Sequence, residues 1–198
     1  MIIGITGSIG SGKTTAAKMF SRHWYTRIDA DEIGHELIKK DKSAYKEIVG
    51  IFGNGIIDKN GSIDRKKLGD LVFNDHKKLK KLNSILHPFI IKEIKNQIEK
   101  IKNKCGAEAK IIIDAPLLLE TGAKNLSDKI IILKSDKKNA IGRLKKTHPK
   151  GKIEKILNAQ MPLKDKLKYA DFVIENNKDL KHLEKQVEKI IQLLEKNK

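Results

Sequence analysis

The residues with the most chemistry in their spacing lie at the start of the chain. Gly7-Ser8-Ile9-Gly10-Ser11-Gly12-Lys13-Thr14 has the form G-x-x-x-x-G-K-[ST], and the run Ile2-Ile3-Gly4-Ile5-Thr6 leads into it. A polyphosphate is wrapped when consecutive backbone N–H groups turn inward, and Gly7, Gly10 and Gly12 permit that geometry and a close approach. Lys13 reaches the β- and γ-phosphates as a point charge, and the Thr14 hydroxyl is a ligand for Mg²⁺. The helix that opens at Lys13 and runs through Thr15-Ala16-Ala17 directs its positive dipole end at the same anion. Gly10, Ser11, Gly12, Lys13, Thr14 and Thr15 are the candidate ATP-binding set.

A phosphate loop serves GTPases and motor ATPases as well as kinases. The guanine-reading pattern Asn-Lys-x-Asp is missing: Asn103-Lys104-Cys105-Gly106 lacks the Asp, and Asn177-Lys178-Asp179 is one residue short. A kinase needs a carboxylate near Mg²⁺ or its waters and another to take the proton of the attacking hydroxyl. Asp29-Ala30-Asp31-Glu32 follows the second strand-like run, and continued strand alternation would point Asp29 and Asp31 the same way. Asp31 is also a good N-cap for a helix starting at Glu32. Asp114 ends Ile111-Ile112-Ile113 as a Walker B carboxylate would, or caps the turn before Pro116. His87, ahead of Pro88, has both a structural and a ligand-binding reading. Arg143 is followed by Lys145, Lys146, Lys150, Lys152 and Lys155, a cluster that is either a solvated face or a lid carrying cations to the transferring phosphoryl group.

These side chains need a scaffold, and the hydrophobic pattern supplies one. Strand-like runs at Ile2–Thr6, Thr26–Ala30, Lys110–Ala115, Lys129–Lys134 and Asp171–Glu175 alternate with helical segments, which predicts a mostly parallel sheet flanked by helices, an α/β fold. Ligands of such sheets sit beyond the carboxyl ends of the strands. Between the second and third runs the pattern is helical. Ile91, Ile94, Ile98 and Ile101 form one seam on a helix that Pro88 would open, and Leu68, Leu71 and Val72, then Leu79, Leu82, Ile85 and Leu86, read as further seams. Gly53-Asn54-Gly55 and Asn60-Gly61 mark loops between them. Leu180, Leu183, Val187, Ile190 and Leu194 line one face of a closing helix.

A chain of 198 residues suits one α/β domain with an inserted subdomain. Its net charge of +17 comes with only four arginines, Arg22, Arg27, Arg65 and Arg143, and lysines spread along the whole length. Arg is the residue favoured for bidentate phosphate contacts, so nucleic acid is not the expected partner; the lysines read as solvated surface residues, whose field would also steer a small polyanionic substrate. The run Lys77-Lys78-Leu79-Lys80-Lys81 reads as a solvated helix face. One cysteine, Cys105, fits a reducing compartment. No signal pattern and no run approaching about 20 apolar residues is present, so the expectation is a cytoplasmic protein without a membrane partner.

Several motifs in order resemble the dephospho-CoA kinase family: Thr6 to Thr15, Ile28-Asp29-Ala30-Asp31-Glu32-Ile33, Leu86-His87-Pro88, Pro116-Leu117-Leu118-Leu119-Glu120, and Ala159-Gln160-Met161-Pro162 leading to Ala170-Asp171-Phe172-Val173-Ile174-Glu175-Asn176. The resemblance implies a P-loop NTPase fold akin to nucleoside monophosphate kinases, with a five-stranded parallel sheet as core (1–31, 108–145 and 170–198), a helical CoA-binding insertion (about 32–107) and a lid (about 146–169). It implies transfer of the ATP γ-phosphoryl group to the ribose 3′-hydroxyl of dephospho-CoA, with Mg²⁺ as cofactor. Asp31 would then be the base or hydroxyl-orienting group, Lys13 and Arg143 would stabilise the phosphoryl group, and Thr14, Asp29 and Asp114 would serve the metal. Thr6 and His87 would lie near the acceptor and Asn176 near adenine; a monomer is the expectation, with an oligomer left open. Departures from the pattern are Ser8 where the family has Gly, His23-Trp24-Tyr25-Thr26 where a glycine precedes the second strand, and Lys146 and Lys155 where the lid carries arginines.

Overall fold

The computed structural model describes residues 1–145, 153 and 160–196. Five strands, β1 (Ile2–Gly7), β2 (Thr26–Asp29), β3 (Ile111–Asp114), β4 (Lys129–Lys134) and β5 (Phe172–Glu175), form one sheet in the order β2-β3-β1-β4-β5. Every pairing is parallel. β1 and β3 are buried along their whole length, which accounts for their unbroken apolar runs: a strand covered on both faces has no solvent side to alternate with.

The chain divides into two compact units, Met1–Asp29 with Ile98–Lys198, and Ala30–Gln97. The first holds the sheet. Ile3, Ile5, Ile112, Ile131, Leu133 and Ile174 of the strands pack with Ala16, Ala17 and Phe20 of α1 (Lys13–Ser21) and with Leu183, Val187, Ile190, Ile191 and Leu194 of the C-terminal helix (Leu180–Lys196). Leu180, expected on that buried face, is 65% exposed because it is the first residue of its helix. Parallel register sets the functional edge level. Asp29 pairs with Asp114, Asp114 with Ile5, and Gly7 with Leu133, so the loop after β1 leaves beside the carboxyl ends of its neighbours.

The second unit is helical: α2 (Ala30–Leu37), α3 (Tyr45–Phe52), α4 (Arg65–Phe73) and most of α5 (His76–Cys105). Ile38, Ala44, Ile48, Ile56, Ile63, Leu68, Val72, Leu82 and Ile85 form its core. The Asp64 carboxylate caps α4 by accepting from the Lys66 and Lys67 amides, and Asp75 does the same for α5 with Lys77 and Lys78. Asn60-Gly61 turns the chain between Ile57 and Ile63, which bridge antiparallel. Lys77, Lys78, Lys80 and Lys81 are exposed as expected.

Two helix boundaries differ from the sequence reading. Pro88 does not open a helix but sits inside the 30-residue α5. A proline there costs about 3 kcal/mol, and the buried Leu82 and Ile85 before it and Ile94 and Ile98 after it outweigh that cost. α2 starts at Ala30, so Asp31 lies inside its first turn and is not its N-cap. Strand alternation ends at Asp29 and does not extend to Asp31. Among the described residues no helix is long and apolar enough to cross a membrane.

Candidate active site

The phosphate loop is held from several directions. Lys13, buried at the start of α1, donates from Nζ to the Ser8 carbonyl at 3.2 Å. Arg143, on α6 (Lys137–Leu144), donates from Nη1 to the Gly10 carbonyl at 3.2 Å and to Ser135 Oγ at 3.1 Å, and from Nη2 to the Asn176 carbonyl at 2.8 Å. Asn176, buried just after β5, donates from Nδ2 to the Ser11 carbonyl at 2.8 Å. The Ile9 N–H donates to Gln160 Oε1 at 3.1 Å. With its carbonyls pinned outward, the loop is preorganised to offer N–H groups to an anion.

Gly10 and Gly12 stand where no side chain fits. Gly10 has φ 77°, and a Cβ there would lie 2.6 Å from the Ala140 carbonyl oxygen. Gly12 has φ 93°, forms the N-cap of α1 without a side-chain bond, and its Cβ would come within 2.3 Å of Asn176 Nδ2. Both the left-handed backbone and the space exclude other residues. Thr14 and Thr15 are exposed in the first turn of α1. Ser11 is fully buried, and its hydroxyl has no hydrogen-bond partner among the described residues.

At the ends of β2 and β3 the two carboxylates singled out for metal share an unexpected partner. Arg27 donates from Nε and Nη2 to Asp114 Oδ2 at 3.1 and 2.7 Å, and from Nη2 to Asp29. Burial alone would lower the Arg27 pKa, but hydrogen bonds and charge from Asp114 and Asp29 outweigh it and raise the value, so the guanidinium is firmly cationic. The triad carries one net negative charge. Its sequence signal is the i, i+2 spacing of Arg27 and Asp29, which puts them on one face of β2.

Thr6 is buried in β1, and its Oγ1 donates to the Pro116 carbonyl at 3.1 Å. Lys166, on α7 (Leu163–Leu167), is fully buried; its Nζ donates to the same carbonyl at 2.9 Å and pairs with Glu120 Oε1 at 2.9 Å. Glu120 Oε1 also accepts from the Met161 N–H at 3.0 Å. Sequence reasoning gave Gln160 and Glu120 no role beyond their motifs, and Lys166 none at all, since a lysine between Asp165 and Leu167 carries no mark of burial. Asp31, exposed on α2, and His87, on α5, belong to the second unit. Lys146, Pro149, Lys150, Gly151, Lys152 and Lys155, most of the expected lid, fall outside the described residues.

The donors offered to a metal are hard oxygens, one exposed hydroxyl and two carboxylates engaged by Arg27. Among the described residues no group of three or more His, Cys, Asp or Glu could hold an ion by itself. That pattern fits Mg²⁺, which keeps several waters and is bound through one or two protein groups together with substrate phosphates.

Known proteins place the arrangement in context. The sequence model of the dephospho-CoA kinase (CoaE) family matches residues 1–182. A dephospho-CoA kinase of Fusobacterium nucleatum is 41% identical, over 98% of each chain, and one of Aquifex aeolicus 39%, over 97% of this chain and 96% of its own. The solved structure of dephospho-CoA kinase from Campylobacter jejuni superposes with a TM-score of 0.71 at 28% identity, covering 99% of this chain and 98% of that one. The fold is accordingly that of the P-loop kinases, and the chain belongs to the dephospho-CoA kinase family.

Proposed function

We propose that the chain phosphorylates the ribose 3′-hydroxyl of dephospho-CoA with ATP, yielding coenzyme A and ADP as the last step of coenzyme A synthesis. The observation that carries the transfer chemistry is the phosphate loop, whose carbonyls are bonded outward by Lys13, Arg143 and Asn176. Family membership over nearly the whole chain supports the choice of acceptor.

In this reading Gly10, Ser11, Gly12, Lys13, Thr14 and Thr15 bind the ATP phosphates. Lys13 gives up its Ser8 contact to reach the γ-phosphate, and Arg143 supplies positive charge beside Gly10. Asn176 acts on the nucleotide by keeping the loop closed at Ser11, with adenine on its side of the sheet edge. Asp31 accepts or orients the proton of the acceptor hydroxyl, and His87 and Thr6 serve the acceptor. Thr14, with Asp29 and Asp114 directly or through water, would hold Mg²⁺, which neutralises charge on the β- and γ-phosphates when bound. Residues 32–107 hold the CoA portion, and residues 146–169 form the lid that excludes water. ATP and dephospho-CoA are the partners of a cytoplasmic enzyme working as a monomer.

With Mg²⁺ and ATP, the purified protein should release ADP when given dephospho-CoA. Lys13→Ala and Asp31→Asn should each lower turnover by about 10³-fold or more, with circular dichroism unchanged. Equal ADP release with AMP, shikimate or no acceptor refutes the assignment.

A further inference from the structure

The contacts on the phosphate loop are of two kinds. At Ser8, Gly10 and Ser11 a side chain donates to a carbonyl, whereas at Ile9 a side chain accepts from the loop N–H. N–H groups are what an anion cradle presents to its ligand, so Gln160 Oε1 engages the loop on its ligand-binding chemistry. Gln160 is brought there by a short chain of polar contacts. Its neighbour Met161 is bonded to Glu120, Glu120 is paired with Lys166, and Lys166 is anchored on the Pro116 carbonyl. That carbonyl also accepts from Thr6, on the strand that feeds the loop. The pair uses Glu120 Oε1 with Lys166 fully buried, and breaking such a pair leaves an uncompensated charge.

We propose that Gln160 is a positioning residue for the nucleotide: its carboxamide oxygen fixes the Ile9 N–H in the turn of the loop, and the Glu120–Lys166 pair holds Gln160 to that task. The inference rests on the loop's being the ATP site. A neutral acceptor suits the position, because it aligns the amide without setting a negative charge beside a triphosphate.

Gln160→Leu removes the acceptor at similar volume, and its KM for ATP should rise roughly tenfold. Its kcat and its KM for dephospho-CoA should stay within about twofold of the wild type. Gln160→Glu keeps an acceptor but adds charge, so its KM for ATP should rise further, and the excess should shrink as salt is raised through the range where the Debye length falls below about 10 Å. Both KM values moving together in Gln160→Leu would mark a merely structural role and overturn the proposal. So would tighter ATP binding, which would make Gln160 a competitor of phosphate, or unchanged ATP kinetics in both variants. Lys13→Ala separates the levels: full activity in that variant discards the site itself, whereas an inactive Lys13→Ala beside wild-type behaviour of both Gln160 variants discards this inference alone.

Discussion

The phosphate loop and the helical unit Ala30–Gln97 are stabilised in opposite ways. Residues 8–11 of the loop are fixed by hydrogen bonds with Lys13, Gln160, Arg143 and Asn176, three of which lie more than 130 positions away along the chain. The helical unit is held by Ile38, Ile48, Ile56, Ile63, Leu68, Val72, Leu82 and Ile85 in one apolar cluster, with carboxylate caps that reach only two or three residues. Hydrogen bonds are directional and fix where a backbone group points; apolar burial is not directional and fixes only that surfaces meet. A loop that must aim several N–H groups at the oxygens of one phosphate needs the first kind. A helical unit that only has to keep its elements packed can rely on the second.

The comparison is tested most severely by deleting most of a buried side chain from the helical unit. Ile48 is fully buried in the helical cluster, and Ile48→Ala should cost about 2–5 kcal/mol of stability. Denaturant unfolding checks this, with KM for ATP in the surviving folded fraction near the wild-type value. A large change in ATP affinity without loss of stability would show that the apolar cluster also sets the aim of the loop.

Arg143→Lys tests the other half with a smaller energy. Lysine keeps the charge but has no planar fork, so it cannot bridge the Gly10 carbonyl, Ser135 Oγ and the Asn176 carbonyl together. KM for ATP should rise about tenfold, a free energy near 1.4 kcal/mol, while the melting temperature moves by only a few degrees. A fall in kcat with KM unchanged would mean that Arg143 acts on the transferring phosphoryl group and not through the shape of the loop.

The same contrast explains what could be read from the residues beforehand. All five strands lie within a residue or two of the runs read for them, and the central β1, β3 and β4 leave the dense local signature of Ile that buried parallel strands carry. The phosphate loop was legible for a similar reason, its glycines and Lys13 being contiguous. Arg27 on Asp29 and Asp114, and Lys166 on Glu120, were not, since each pair is made by register or by a return of the chain across tens of residues. The family resemblance points Asn176 and Arg143 to ATP, but their hydrogen bonds to the loop carbonyls join residues far apart in the chain and leave no local pattern. Pro88 misled because a breaker was weighed without the packing on both sides of it.

The smallest effect concerns a polar tether of the same kind at the opposite edge of the sheet. Asp171, just before β5, accepts from the Ile130 N–H at 2.8 Å and from Lys129 Nζ at 3.0 Å, tying the starts of β4 and β5 together. Burial by itself would raise the Asp171 pKa, but the Ile130 amide and Lys129 outweigh it and hold the value below the ordinary carboxylate range. A depressed folded pKa means that the unfolded chain takes up protons first as pH falls. The tether's contribution is therefore fully present above the unfolded value of about 3.9 and is lost as pH drops through the lower folded value. Because the side chain is 35% exposed, solvent and salt screen the pair, and the contribution at neutral pH is about 1 kcal/mol or less. Asp171→Asn should thus differ from the wild type by at most that amount at pH 7, and the two unfolding curves should converge as pH falls from about 4 toward 2. A difference that persists undiminished into that acid range would show that Asp171 holds the strands by shape and not by charge, and would place it with the helical unit's mode of support.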